Sequence, residues 1–566
     1  MATAQSARSY VPANTEIWVL GATILASAMA FIDGSALSVA LPALQVDLNA
    51  TGTEMLWIQN SYLLFLAALI LVGGSLGDIY GRKRVFMIGI GIFAVASVLC
   101  GLAPDPNALI IGRALKGIGG ALMIPGSLAI LSASFEPARR GRAIGTWSMF
   151  STLTTLIGPV LGGWLAGQGL WRAVFFINIP MALIALYVLA TRVPESRDEH
   201  STGRLDYLGA FLATVGLGGL TYGFTEASMA GFTAPNVLIG LIVGVIALVA
   251  FVIAEARSDH PMVPLSLFRN RTFAGTNLLT LFMYGALGIS FFFLPINLIQ
   301  VQGYPPDVAG LVTLPSPIIL TLLSRRAGGL VDRFGPRLPL IVGPAIVAVG
   351  FFLMAVPGVT NGPDDYWLTF FPAIVVTGIG LGLTVAPLTT SVMVSAPSES
   401  SGTASGINNA VSRTANVLAI AILGAVMLLA FRGSLETRAA ELDLPVESLA
   451  ALELESANLA AAQAPEGLNA EQTAAVENAI DWAFVDAFRL IVLISVGLIG
   501  LSVVVAATVV ERTLTEASPA MDPSTAPAAD DEGAGQGDPA AQPARAVVPH
   551  VLPNCAINCE PEPATN

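Results

Sequence analysis

The feature that most constrains this chain is a turn that it carries twice. Gly74-Ser-Leu-Gly-Asp78-Ile-Tyr-Gly81-Arg82-Lys83-Arg84 and Gly328-Gly-Leu-Val-Asp332-Arg333-Phe-Gly335-Pro-Arg337 share glycine, leucine, aspartate and glycine in one register, 254 positions apart (332 minus 78). Each copy directly follows an apolar stretch of helix length and directly precedes another. Each is therefore expected to be a tight, basic turn between two membrane spans, and a duplicated turn implies a duplicated helical bundle.

Composition agrees with a chain that lives in a bilayer. Hydrophobic residues make up 54% of it and charged residues only 11%, against about 25% charge in a water-soluble domain. Stretches of about 20 apolar residues, long enough to cross a hydrocarbon core, occur fourteen times, from one near 16–41 to one near 484–511. Cytoplasmic loops retain Lys and Arg, which tests both count and orientation. Through the first ten spans, connections after even-numbered spans hold sixteen basic residues, Arg82, Lys83, Arg84, Arg139, Arg140, Arg142, Arg192, Arg197, Arg204, Arg257, Arg269, Arg271, Arg325, Arg326, Arg333 and Arg337. Those after odd-numbered spans hold one, Arg172. The alternation never reverses, so both termini are predicted to be cytoplasmic. The later connection near 395–403 carries no basic residue, and the last third rests on hydropathy alone. The first apolar stretch is too long for the core of a signal peptide and has an aspartate in its middle, so it is expected to remain as a span.

The fold expected is an all-α polytopic membrane protein. A cytoplasmic N-terminus (1–15) leads to a six-helix bundle (16–195), two linker transmembrane helices (196–266) and a second six-helix bundle (267–512). The second bundle contains an extracytoplasmic loop at 432–483, and a disordered cytoplasmic tail (513–566) follows. Most of the net charge of −13 sits in that loop and tail. The loop, rich in Ala, Glu and Leu, is expected to hold short amphipathic helices. Neither segment suggests a function, and Cys555 and Cys559, near His550 in the tail, lack the second ligand pair that a structural metal site needs. Two facing helical bundles are the architecture of membrane transporters.

Few residues in the spans can do chemistry. Asp33 lies in the middle of the first span, where a carboxylate costs about 2.5–3.5 kcal/mol and is expected to face a cavity or a partner. Loss of water favours a carboxylate's neutral form, which makes Asp33 a candidate proton carrier. Arg113 in the fourth span is its candidate partner. Lys116 is three positions further on and hence on the same helical face, so the two cations together need an anion, substrate or water. Gly158-Pro159 and Gly162-Gly163 place a kink and a smooth face in the fifth span, which suits a hinge between bundles. Asp78, with Gly74, Gly81 and Arg82, and Asp332, with Arg333 and Gly335, are candidates for a gate that breaks and remakes on one membrane face. Phe292 and Asn297 in the ninth span are candidate substrate contacts, as is Lys116.

Other chemistries are unsupported. Gly73-Gly-Ser75-Leu-Gly77 matches the GxSxG of hydrolases, but it ends a membrane span, and the motif needs a strand-turn-helix and a histidine base. With no phosphate-cradling or HExxH motif, neither enzymatic activity, nor a cofactor or metal, nor a nucleic-acid partner is expected.

With these motifs in order on their helices, the region from about 15 to 512 resembles the major facilitator superfamily, specifically its fourteen-span drug:proton antiporter branch of the EmrB/QacA type. The doubled turn, Arg113 with Gly117, Gly158-Pro159 with Gly162-Gly163, and Asp33 with Ala40-Leu41-Pro42 resemble the branch's motifs. So do Trp171-Arg172 through Asn178-Ile-Pro180, and Ala404-Ser-Gly406-Ile-Asn408-Asn409 with Arg413. The resemblance implies a major facilitator fold with two inserted helices, alternating access, and uptake of protons in exchange for export of amphiphilic compounds from the cell (inner) membrane. It also implies a periplasmic adaptor protein as partner where the cell is Gram-negative. Lys116 stands where the branch usually has glutamine, and Pro336 interrupts the basic run of the second turn. The rival expectations are a dedicated exporter of one metabolite or antibiotic and a non-transporting membrane sensor.

Overall fold

A computed structural model describes residues 13–197, 206–259, 261–327, 329–397 and 401–512. Among them, fourteen helical spans are long and apolar enough to cross a membrane, as the hydropathy predicts. The first half comprises α1 (Ala13–Leu48), α2 (Gly52–Tyr80), α3 (Arg82–Gly101), α4 (Pro106–Ser134), α5 (Pro137–Gly167), α6 (Ala173–Phe176) and α7 (Asn178–Arg192). Two inserted helices follow, α8 (Tyr207–Ala230) and α9 (Pro235–Arg257). The second half comprises α10 (Arg271–Ile296), α11 (Pro306–Val312), α12 (Pro315–Ala327), α13 (Leu330–Phe334), α14 (Arg337–Met354), α15 (Phe370–Val394), α16 (Ser401–Ala440), α17 (Val446–Glu455) and α18 (Ala470–Thr508).

Short connections are possible because the helix ends are capped. Thr51 and Glu54 form a reciprocal capping box at the start of α2, and Asp105 caps α4 with Pro106 in its first turn. Such caps satisfy N–H groups that have no partner within the helix. Two spans are broken where hydropathy alone reads one helix. The sixth divides at Ile177 into α6 and α7. The tenth divides between α11 and α12 at Pro315, whose missing N–H interrupts the ladder.

The duplication extends to packing. In the first half α2 and α3 pack on α4, while α5 and α7 pack on α1; in the second, α12 and α14 pack on α15, while α16 and α18 pack on α10. The equivalent helices thus meet in the equivalent order. The halves join along two seams, α2 on α16 and α5 on α11, and α8 lies against both α2 and α16.

The segment at 432–483, expected to hold short helices, holds one together with the extended ends of two spans. α16 continues to Ala440 and α18 begins at Ala470, and between them α17 is followed by a short 3-10 turn over Ser456–Ala461. That turn folds back over the end of the bundle, where Gln45 donates to the Asn458 carbonyl at 2.9 Å. Cys555, Cys559, His550 and the rest of the predicted tail from 513 onward lie outside the described residues.

Candidate functional site

The site begins with one carboxylate and two cations. Asp33, halfway along α1, accepts from Arg113 Nη1 at 2.7 Å and from the Lys116 ammonium, and all three side chains are fully buried. Helical spacing puts Arg113 and Lys116 on one face of α4, and α1 presents Asp33 to that face. Arg113 also donates from Nε to the Ile58 carbonyl at 3.2 Å, leaving Nη2 without a partner. Aromatic rings enclose the cations: Tyr62 lies 4.4 Å from the guanidinium, and Phe93 and Phe175 lie 4.7 and 4.8 Å from the ammonium. Cation–π contacts of this kind are stronger where water is excluded.

Tyr62 separates this cluster from a cavity of about 410 Å³ between the halves. The first half lines it with Phe31, Gly34, Ser35, Ser38, Gln59 and Tyr62, and the second with Phe291, Phe292, Arg413 and Asn416. Asp33 is adjacent in sequence to the lining residues Gly34 and Ser35, so a change at the carboxylate is one residue from the cavity wall.

α5 lines the cavity with Thr155 and Pro159 and packs tightly against both halves beside it. A Cβ on Gly158 or Gly162 would come within 1.8 Å of Ser35 Oγ or 2.2 Å of the Ala36 carbonyl oxygen, so these glycines let α5 press against α1. On the other seam, a Cβ on Gly163 would stand 2.2 Å from the Pro306 carbonyl, and one on Gly310 would stand 2.3 Å from the Pro159 carbonyl. The GP–GG motif therefore touches both halves at once. Gln300 adds a hydrogen bond to Gln45 at 3.0 Å. α5 carries exposed side chains along its whole length, among them Met149, Phe150, Leu153, Ile157 and Trp164, and α12 is exposed at Ile318 and Leu322.

The duplicated geometry, with a shared cavity and a sealed acid–base cluster beside it, limits the families that fit. Residues 23–420 match the Major Facilitator Superfamily. The chain belongs to this superfamily. It is 33% identical to multidrug resistance protein Stp of Mycobacterium tuberculosis (strain CDC 1551 / Oshkosh), over 75% of this chain and 78% of that protein. It is 32% identical to the tetracenomycin C resistance and export protein of Streptomyces glaucescens, over 74% and 77%. A solved bacterial homologue of the human lysosomal transporter Spinster shares the fold, with a TM-score of 0.61 at 19% identity, covering 90% of this chain and all of that one.

Phe292 lines the cavity, whereas Asn297 is buried against Gln302, whose Nε2 lies 3.2 Å from its Oδ1, and is not on the cavity wall. Lys116 faces Asp33 rather than the cavity. At the first turn Asp78 pairs with Arg82 at 2.8 Å, but the neighbouring helix end is held by another residue. Glu195 accepts from the backbone N–H of Lys83 at 2.9 Å and of Arg84 at 3.0 Å, at the positive start of α3. Gly81 has φ +108°, and its missing side chain leaves room for Glu195. At the second turn Gly335 has φ +73°, and the Arg333 guanidinium lies 6.0 Å from the Phe334 ring. Gly328 and the side chain of Asp332 lie outside the described residues. Arg413, on the cavity wall, is a candidate functional residue that the sequence motifs alone do not single out. It is a lone cation in an otherwise uncharged stretch from 403 to 430, as Asp33 is a lone carboxylate in the middle of its own span.

Proposed function

We propose that this protein is a proton-coupled efflux transporter that exports amphiphilic compounds by alternating access across the cell membrane, with both termini in the cytoplasm. The observation that carries the reading is a carboxylate sealed onto two cations one residue away from a cavity shared by two duplicated halves. The names of the relatives, a multidrug resistance protein and an antibiotic resistance and export protein, support the direction and the kind of cargo.

In this mechanism Asp33 carries the proton. Protonation cancels the charge that holds Arg113 and Lys116, so the α1–α4 contact loosens; deprotonation restores it. The change reaches the cavity through Gly34, Ser35 and the Tyr62 ring. α5 transmits it, because Gly158 and Gly162 bear on α1 while Pro159 and Gly163 bear on α11. The turn residues Asp78 and Arg82, with Glu195, fasten the cytoplasmic end of the first half and are remade during the cycle. One proton moving through 100 mV supplies about 2.3 kcal/mol, enough for a roughly fifty-fold substrate gradient. The partners are protons, small amphiphilic substrates and membrane lipid.

The test is transport of fluorescent amphiphiles into everted membrane vesicles, with and without a proton gradient, by the parent and by Asp33→Asn. Gradient-driven accumulation should be present in the parent and lost in the variant. Equal gradient-driven accumulation in both would remove Asp33 from the mechanism.

A further inference from the structure

Among the described residues, the cavity has one charged residue on its wall, Arg413 of α16. It lies at the junction with a second, more polar space of about 200 Å³, which it and Asn416 also line, together with Tyr284, Ser405, Asn409 and Ser412. Its Nε is buried without a hydrogen-bond partner, and it makes no ion pair among the described residues. No partner is available at its depth in its own half, because α10, α12, α15 and α16 as far as Phe431 contain no Asp or Glu. In the first half, the acid beside the cavity is Asp33, already occupied by two cations. With Lys116 charged, that cluster is formally +1; with Lys116 neutral, it is zero. Neither the wall nor the cluster behind it offers a net negative charge to a cation.

Placing a guanidinium at this depth costs about 2.5–3.5 kcal/mol, and a carboxylate or sulfonate of a bound molecule returns charge-assisted, bidentate hydrogen bonds. We propose that Arg413 is the anchor for an anionic group of the substrate, so that the cargo of this transporter is an amphiphilic organic anion rather than a lipophilic cation. The inference rests on the efflux reading and names its substrate class. The acid group sits against Arg413 with Asn416 beside it, and the apolar body lies against Phe31, Phe291 and Phe292. A cavity of about 410 Å³ is in the range that takes drug-sized molecules, about 300–1,000 Å³.

Binding is measured first, by fluorescence anisotropy on purified full-length protein in detergent. The probes are an amphiphilic carboxylate bearing a neutral BODIPY fluorophore, its methyl ester, and ethidium as a cation of similar size. The parent should bind the carboxylate about tenfold or more tightly than the ester, as expected for loss of a hydrogen bond to a charged group. Arg413→Gln should abolish that preference, and Arg413→Lys should keep part of it. The ester comparison needs no variant and holds even if Arg413→Gln fails to assemble. No preference for the carboxylate in the parent, an unchanged preference in Arg413→Gln, or tighter binding of ethidium would each overturn the proposal. Transport of the same probes into everted vesicles is read separately. An anion that binds through Arg413 but does not accumulate removes the efflux reading and leaves the anion site standing, whereas accumulation of ethidium alone leaves efflux standing and removes the anion site.

Discussion

The two halves are built to one packing plan but use mid-membrane charge in opposite ways. In the first half Asp33, Arg113 and Lys116 are fully buried, mutually paired and screened from the cavity by Tyr62. In the second half Arg413 lies on the cavity wall with no ion pair among the described residues. A paired charge holds helices together and responds when its partner titrates; an unpaired charge on a wall is available to a ligand. On the proposed reading the first half handles the proton and the second holds the substrate, and the difference can be tested by removing charges one at a time.

The largest effect is expected from Asp33→Asn. It leaves two buried cations without their anion, and breaking a buried pair by removing one partner costs about 3–5 kcal/mol. The melting temperature of the purified protein should fall sharply. Adding Lys116→Gln to that variant removes one orphaned cation and should recover part of the loss, a non-additive result expected of residues in one network. If the double variant is less stable than Asp33→Asn alone, the three charges do not act as a unit.

A smaller cost, about 1–3 kcal/mol as for overpacking in a tight contact, is expected from Gly163→Ala. The new Cβ would lie 2.2 Å from the Pro306 carbonyl oxygen, a backbone atom on the other half that cannot swing aside. The variant should therefore favour the state in which this seam is open. A Thr313→Cys reporter on the cavity wall should react faster with a membrane-impermeant maleimide added from the extracytoplasmic side. Unchanged labelling would mean that the α5–α11 contact does not control access.

The turns permit a finer comparison. Glu195 accepts two backbone N–H groups at the start of α3, and Glu195→Ala should lower stability by about 1 kcal/mol, as for loss of a helix cap. The Arg82–Asp78 pair is partly exposed, and such pairs contribute about 0–1 kcal/mol, so Arg82→Ala should change the melting temperature less than Glu195→Ala. The reverse order would return the main fastening role to the arginine–aspartate pair.

These differences mark what the sequence could carry. Span number is legible because bilayer thickness converts directly into a run of apolar residues, and the duplication is legible because Gly74, Asp78 and Gly81 recur in register as Gly328, Asp332 and Gly335. A carboxylate in a span must find a cation, which directed attention from Asp33 to the face bearing Arg113 and Lys116. The same reasoning applies to Arg413, yet no anion was there to pair with it, and a residue defined by a missing partner draws less notice than one with a partner. Glu195 was not legible at all. Its contact with Lys83 and Arg84 joins positions 112 and 111 apart, and nothing local in the sequence around Glu195 points to the start of α3. The helical extension of α16 and α18 beyond the expected membrane boundary was hidden because polar helix and polar loop look alike to a hydropathy scan.

The smallest expected change bears most directly on the contrast between the halves. Arg413→Gln removes a cation that no described acid holds, so it breaks no ion pair and relieves part of the desolvation that a guanidinium suffers at this depth. The melting temperature should stay level or rise slightly, by the equivalent of under about 1 kcal/mol, as for substitutions that break no structural contact. Asp33→Asn and Arg413→Gln each delete one charge at the same level of the bundle, yet should move stability by very different amounts. A large destabilisation by Arg413→Gln would mean that the arginine holds the second half together, and the division between a structural charge and a ligand-directed one would disappear. Added BODIPY carboxylate sharpens the same measurement. A ligand that binds only the native state raises the melting temperature, so the probe should stabilise the parent and have little effect on Arg413→Gln.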